Sequence, residues 1–204
     1  MKLYYHPKSP NGTAVVAVAR ELGIPLDLQE INLPGGEQKE PGFLRINPNG
    51  KVPVLEDGDF ILWESGAIMQ YLAAQKPGNS LWPADDRARA DISRWQLWRL
   101  GEWGRGAGIL IWENVIKKFL SSGDPDPNKI KEGLEFFHIG ATVLNGHLEN
   151  RDYLVGKHTT LADFSVAVPL VYAAPARLPL DPYPAIRQWY KRIADLESWK
   201  KTLP

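Results

Sequence analysis

The sequence contains no cysteine. That absence excludes disulfides, a side-chain thiolate nucleophile and zinc–cysteine centres. It has no excess of either charge: 24 basic and 24 acidic residues balance, and no long basic run occurs. Nucleic-acid binding needs a basic footprint and membrane-surface binding a polybasic cluster, so neither partner is expected. No apolar run approaches the ~18 residues of a membrane span. The opening MKLYYHPKSP has no apolar signal core, so a cytoplasmic chain is expected. The sequon Asn11-Gly12-Thr13 then reads as a chance match. The histidines (His6, His138, His147, His158) show no paired metal-ligand spacing, so no metal is expected.

What is present suits a globular protein. The chain has 204 residues, 44% hydrophobic and 24% charged, enough for one compact unit or two small ones. Eight tryptophans are many for this length, so aromatic surface beyond the core is expected.

The first eighty residues alternate strand and helix signals. KLYY (2–5) suits a strand, and apolar residues at 15, 18, 19 and 22 mark a helix over 10–22, stopped by Gly23. Residues 26–32 read as a second strand, and LPGGEQKEPG as irregular chain with a short helical piece. VPVL and FILW flank Glu56-Asp57-Gly58-Asp59, and Asp-Gly between apolar runs predicts a hairpin. Residues 65–75 read as helix. The order β-α-β, then β-β-α, demands a right-handed parallel crossover followed by an antiparallel pair.

Residues 77–86 (PGNSLWPADD) break this pattern, and beyond them strand signals nearly vanish. Helices are expected over 87–120, 129–149 and 184–195. Thr160-Leu161-Ala162-Asp163 has capping-box spacing before an apolar run. The expected division is an α/β domain over 1–79, a linker over 80–86 and an all-helical domain over 87–204.

Three short stretches carry chemistry. Ser9-Pro10 places a hydroxyl at a helix start, where it either caps the helix or points at an anion bound there. In Gly50-Lys51-Val52-Pro53, the proline marks an edge strand or a cis turn that leaves Val52 free to pair with an extended peptide. Trp63-Glu64-Ser65 opens a helix with a carboxylate and a hydroxyl, either as caps or as a grip on an amino-acid end. The glycines at 101, 104, 106 and 108 follow helical sequence instead of a strand, so they are not a dinucleotide loop. They permit a bend or a close approach.

In order and spacing, YYHPKSPNG, NPNGKVPVLEDGDFILWES, GAIMQYLA and GKHTTLADFSVAVP together resemble the glutathione S-transferase family, over essentially the whole chain. The likeness is to bacterial members of serine type, theta- or phi-like. It implies a thioredoxin-like N-terminal domain, an all-helical C-terminal domain, glutathione as co-substrate and a homodimer. It implies that Ser9 donates to the glutathione sulfur and that Val52, before a cis Pro53, pairs with the cysteinyl backbone. Glu64 and Ser65 would hold the γ-glutamyl end, Lys51 the peptide, and Gln38 and Lys39 the glycyl carboxylate. Thr160 and Asp163 match a helix cap that serves folding.

The likeness also has departures. Pro10 stands where beta-class members carry a cysteine, which closes that mechanism. Tyr5 sits about where tyrosine-type members place their catalytic hydroxyl, so it rivals Ser9. Ser9-Pro10-Asn11-Gly12 is similar to the nu-class loop, which makes Asn11 a second polar group and glutathione-dependent disulfide reduction an alternative activity. A non-catalytic ligand carrier is a further one. The second substrate is expected between the first loop, with His6, Pro7 and Lys8, and the first C-terminal helix, with Trp103, Ala107, Ile111 and Trp112.

A serine donor has enough leverage for the transferase reading. A free thiol has a pKa of about 8.5. A hydrogen bond to an anion contributes about 1.5–3 kcal/mol and helix amides about 0.3–1 kcal/mol. At ~1.4 kcal/mol per unit, the bound thiol falls by about one to two units or slightly more.

Overall fold

The computed structural model describes residues 1–202, which divide into two compact units. The first holds residues 1–84 and those from Leu196 on; the second runs from Asp85 to Asp195.

The first unit is built on a four-stranded sheet: β1 (Lys2–Tyr5), β2 (Asp27–Glu30), β3 (Val54–Asp57) and β4 (Phe60–Trp63), in the order β2-β1-β3-β4. β1 runs parallel to β2, and the other two pairings are antiparallel. The crossover helix α1 (Pro10–Glu21) joins the parallel pair, as the β-α-β reading requires. The hairpin turn is the pair Gly58-Asp59, because Asp57 already faces Phe60 in register. Gly58 takes φ +63°, where a side chain would be strained. The register of β1 on β3 is pinned by a charged cross-strand contact. Lys2 lies opposite Glu56 and donates to Oε1 at 3.3 Å, while Tyr4 Oη donates to Oε2 at 2.6 Å.

Alternation along the strands divides the core. Leu3 and Leu55 are directly paired and fully buried, as are Val15 and Val18 of α1 and Ile68 and Leu72 of α3 (Ser65–Ala74), which packs on α1. A second cluster forms around Ile31, Phe43 and Val54, with Tyr4, Val52 and Ile46 against it; Phe43 and Ile46 lie on α2 (Pro41–Ile46).

Two boundaries differ from the sequence reading. The expected linker 80–86 begins as packed chain. Leu81 is buried, Asn79 donates to the Ala73 and Lys76 carbonyls, and its own Oδ1 accepts from Trp82 N–H. The expected second domain 87–204 loses its end. Helix α10 (Glu197–Lys200; the numbers α4–α9 belong to the second unit) packs on α1, and the Arg20 guanidinium donates to the Lys201 carbonyl. α1 is buried continuously from Gly12 to Ala19, with α3 and α10 both packed on it.

The second unit is helical. α4 (Asp86–Trp98), α5 (Gly104–Ile111) and α6 (Lys117–Phe119) run on through π-helical turns at Arg99–Trp103 and Trp112–Ile116. α7 (Pro127–Leu148) packs along α5, followed by α8 (Leu161–Ala167) and α9 (Pro184–Ala194). The glycine series acts by close approach at two positions: a Cβ on Gly106 would lie 2.2 Å from Phe137 N and one on Gly104 2.5 Å from the Arg99 carbonyl oxygen, whereas Gly101 and Gly108 face open space.

Asp163 ties this unit together. Its wholly buried carboxylate accepts from Leu154 N–H (3.0 Å), Thr160 N–H (2.8 Å), Thr160 Oγ1 (3.1 Å) and Trp189 Nε1 (2.8 Å). Burial pushes its pKa up, and the donated hydrogen bonds pull it back. Glu113 performs a local tie. It accepts from Asp126 N–H and pairs with Lys117 Nζ, each at 2.7 Å, and these contacts, the Asp126 N–H foremost, hold its carboxyl below the usual range.

Asp163→Ala leaves buried donors unpaired, each costing about 1–3 kcal/mol. A loss of about 3 kcal/mol or more is expected in urea unfolding. Glu113 has a lowered folded-state pKa, so its stabilisation is present above the unfolded value of about 4.3 and is lost as pH falls through the folded one. Glu113→Gln is therefore expected to flatten the acid limb of the stability curve, read from thermal melts across that range.

Candidate active site

The sheet register carries the three polar stretches to one end of the molecule's first unit. Tyr4 faces Val54, and Val54 faces Trp63. The C-terminal end of β1, the N-terminal end of β3 and the C-terminal end of β4 therefore share one sheet edge. β2 is parallel to β1 and pairs Glu30 with Tyr5, so the segment after it leaves from the same edge. Ser9, Val52-Pro53, Glu64-Ser65 and the Gln38-Lys39 turn all follow or precede these strand ends.

The loop after β1 is shaped by a buried histidine. His6 Nδ1 accepts from Lys8 N–H at 3.1 Å, and its carbonyl accepts from Ser9 N–H at 2.8 Å. These bonds set Ser9 at the N-cap of α1 in extended conformation, with Pro10 at the first helical position. The Ser9 carbonyl receives Thr13 N–H at 2.9 Å, but its hydroxyl makes no capping bond. A hydroxyl without a partner among the described residues thus stands at the N-terminus of α1, an arrangement suited to an anion. Asn11 lies half-buried in the same turn. Tyr5 packs beneath it: a Cβ on Gly12 would lie 3.2 Å from Tyr5 Cβ and 3.7 Å from its Cδ2.

The second loop centres on Asn47, a buried side chain that sequence reasoning assigned no role. Its Nδ2 donates to the Lys51 carbonyl at 2.7 Å, and its Oδ1 accepts from Asn49 N–H and Nδ2, both at 3.0 Å. The only sequence signal was the turn-rich Asn-Pro-Asn-Gly. The Val52-Pro53 bond is cis. Val52 N–H and C=O take no hydrogen bond among the described residues. Gly50, at φ +59°, brings in the turn Glu37–Lys39: a Cβ there would meet Lys39 Nζ at 2.8 Å and the Gln38 carbonyl at 2.9 Å. Gln38 Oε1 is buried without a partner among the described residues.

The third segment is strained. Glu64, N-cap of α3, has φ +74°, and its exposed carboxylate neither caps the helix nor pairs with a cation among the described residues. Ser65 is buried to 9% exposure, and its hydroxyl is without a partner among the described residues. A non-glycine residue at such a φ costs about 1–3 kcal/mol and concentrates at functional sites.

One sheet edge therefore bears a carboxylate, two exposed lysines (Lys39 and Lys51), an unpaired main-chain segment, and a hydroxyl at a helix N-terminus. These groups complement a short extended peptide with an ammonium at one end, a carboxylate at the other and an anionic or acidic group between.

The residues expected to line a second-substrate site behave differently. Trp103 and Ala107 are fully buried, and Trp103 Nε1 donates to the Val166 carbonyl at 3.0 Å. They are core of the helical unit and leave the candidate set. The Trp103 ring packs against Phe137 of α7, with centroids 5.0 Å apart. Ile111 is half-buried, Trp112 is 45% exposed, and Pro7 is half-buried in the first loop. Among the described residues, no group of acidic and histidine side chains could hold a metal.

The family model described as glutathione S-transferase, N-terminal domain, matches residues 1–74, and that for the C-terminal domain matches residues 138–197. The chain is 32% identical to glutathione S-transferase 3 of Zea mays, over 100% of this chain and 93% of the relative. Among solved structures, glutathione transferase F7 of Populus trichocarpa superposes with a TM-score of 0.90 at 25% identity, covering 98% of this chain and 96% of that one. A glutathione S-transferase I bound with lactoylglutathione superposes at 0.87 with 28% identity, covering 98% and 97%.

Glu64→Gly relieves the positive φ at some cost in backbone entropy. A net gain of up to about 1 kcal/mol in the stability of the ligand-free chain is expected from thermal melts. A loss of that size would mean that the Glu64 side chain serves the fold itself.

Proposed function

The chain belongs to the glutathione S-transferase family, and from that premise we propose that Ser9 donates a hydrogen bond to the sulfur of bound glutathione. The enzyme conjugates glutathione to electrophilic small molecules. The glutathione thiol loses its proton to solvent water, the thiolate attacks the electrophilic carbon, and the leaving group departs with the electron pair of the broken bond. Ser9 acts as a donor to the anion and not as a base. The observation that carries this is the Ser9 hydroxyl at the N-cap of α1, which makes no capping bond and takes no other partner among the described residues.

The remaining groups take roles along the peptide. Val52 pairs with the cysteinyl main chain, Glu64 and Ser65 hold the γ-glutamyl end, and Lys39, Lys51 and Gln38 receive the glycyl end. The charges support this order: the unpaired carboxylate of Glu64 suits the ammonium, and the lysines suit the carboxylate. Tyr5 is the weaker candidate for the sulfur, since it packs under the first turn of α1. Asn11 provides a second polar group there. The serine-type, theta- or phi-like assignment rests on Ser9, and the nu-like character on Asn11. The relatives carry transferase names, so disulfide reduction and a purely ligand-carrying role are not favoured.

A homodimer is part of the same reading. Leu97 and Leu100 of the α4 region are 69% and 55% exposed, and Ile139 and Val143, one turn apart on α7, are 59% and 51% exposed. Such large apolar side chains suit a subunit contact.

Conjugation to 1-chloro-2,4-dinitrobenzene tests the assignment. Ser9→Ala is expected to lower kcat/KM by roughly 10- to 150-fold, the loss of one hydrogen bond to an anion, with glutathione affinity largely kept. Tyr5→Phe is expected to stay near wild type. The reverse pattern would transfer the role to Tyr5, and a selective loss of disulfide reduction in Asn11→Ala would favour the nu-like activity.

A further inference from the structure

We propose that His6 is a positioning residue for Ser9: its imidazole Nδ1, held without a proton, fixes the turn that aims the serine hydroxyl at the sulfur. The proposal rests on the Ser9 assignment above and adds to it the side chain that holds the donor in place.

His6-Pro7-Lys8-Ser9 forms the turn between β1 and α1. Pro7 has no N–H to place. The two remaining N–H groups both end on His6. Ser9 N–H reaches the His6 carbonyl at 2.8 Å, the ordinary bond of a four-residue turn, and Lys8 N–H reaches His6 Nδ1 at 3.1 Å. The second bond is the one that asparagine or aspartate makes at the start of a turn, where the side chain takes the N–H two residues on. Here an imidazole nitrogen takes that place. A ring nitrogen that accepts a main-chain N–H carries no proton, so the neutral ring keeps its proton on Nε2. Nε2 takes no partner among the described residues. The working nitrogen of this buried side chain is therefore Nδ1.

The turn is anchored at both ends. Upstream, Tyr5 pairs with Glu30 in the sheet, and its carbonyl accepts from Ile31 N–H at 2.8 Å. Downstream, the Ser9 carbonyl accepts from Thr13 N–H at 2.9 Å. The His6 carbonyl itself lies against the first turn of α1, where a Cβ on Gly12 would be 3.7 Å from its oxygen. Ser9 is thus gripped at its N–H by His6 and at its C=O by α1. Its backbone direction is set, and the hydroxyl keeps only the rotation about its own Cα–Cβ bond. Removing the Nδ1 acceptor strands Lys8 N–H inside the turn and loosens the grip on Ser9. A misplacement of about 1 Å can cost roughly 100-fold in rate, so a side chain that acts only through the turn reaches the chemistry.

The test exchanges His6 for three side chains. His6→Asn keeps an acceptor at the place of Nδ1, His6→Gln moves it out to about that of Nε2, and His6→Leu keeps bulk without an acceptor. For each, the ultraviolet thiolate absorbance of bound glutathione gives the thiol's midpoint, and conjugation to 1-chloro-2,4-dinitrobenzene gives kcat and the KM for glutathione. His6→Leu and His6→Gln are expected to raise the midpoint by about one unit and to lower kcat roughly ten-fold. Their KM for glutathione is expected to change less than about two-fold, because the peptide is held elsewhere. His6→Asn is expected to keep the wild-type midpoint and a kcat within about two-fold of wild type. Amide exchange of Lys8 N–H in the ligand-free protein, followed by NMR, reads the bond itself: protection is expected in wild type and His6→Asn, and its loss in the other two. The contrast between Asn and Gln decides even where His6→Leu does not fold. Wild-type behaviour of His6→Leu or His6→Gln overturns the proposal, as does a loss in His6→Asn equal to that in His6→Gln. Recovery by Gln in place of Asn also overturns it, because Nε2 would then be the working nitrogen. Ser9→Ala, measured beside them, separates the two readings. If it titrates as wild type while Lys8 protection still follows the Nδ1 acceptor, the turn is as described but the Ser9 assignment has failed, and the positioning role falls with it.

Discussion

The pairing of β1 with both of its neighbours is the constraint on which the rest depends. β1 runs parallel to β2 and antiparallel to β3, and β4 reverses again. That mixture carries four separate chain segments to one edge of the sheet. A purely parallel or purely antiparallel arrangement of the same strands would scatter them between two edges. The Lys2–Glu56–Tyr4 contact fixes the β1–β3 register, and a slip of one residue would turn Leu3 and Leu55 out of the core. Core packing and assembly of the site are therefore decided by the same pairing.

The helix starts show how the chain separates folding from function. In the helical unit, Asp85 accepts from Ala88 N–H and Asp126 from Asn128 N–H, and Asp163 accepts from Thr160 N–H. Those side chains satisfy their own helices. In the first unit, Ser9 and Glu64 occupy the corresponding N-cap positions of α1 and α3 without capping them. A serine at an N-cap is ordinarily worth about 1 kcal/mol to its helix. Here the hydroxyl is left for a ligand, and Glu64 adds a positive φ to the same sheet edge.

Much of this was legible in the sequence. The Asp-Gly hairpin, the helix break at Gly23 and the Thr160–Asp163 spacing depend on local geometry, and each element formed close to its expected limits. The division into an α/β part and an all-helical part followed from the disappearance of strand signals beyond residues 77–86, and the resemblance supplied its thioredoxin-like character. What remained hidden depends on contacts distant in sequence. The resemblance placed Trp103 and Ala107 on the first C-terminal helix as second-substrate candidates, but spacing alone could not say that both are buried in the helical unit. Turn-forming composition over 77–86 suggested a linker at 80–86, but Leu81 is drawn into the core. Nothing in the last nine residues signals that α10 returns to α1. Backbone strain at Glu64 has no sequence signature, because glutamate does not favour positive φ.

The central claim is that Ser9 stabilises a sulfur anion instead of its own helix. The most direct measurement is the ultraviolet thiolate absorbance of bound glutathione, followed from about pH 5 to 9 across the ordinary thiol range, in wild type and Ser9→Ala. The account predicts a wild-type midpoint about one to two units below that of free glutathione and a return towards the free value in the variant, with glutathione still bound. Coincident titrations would contradict it, leaving Ser9 as a helix-start residue and the sulfur to another donor.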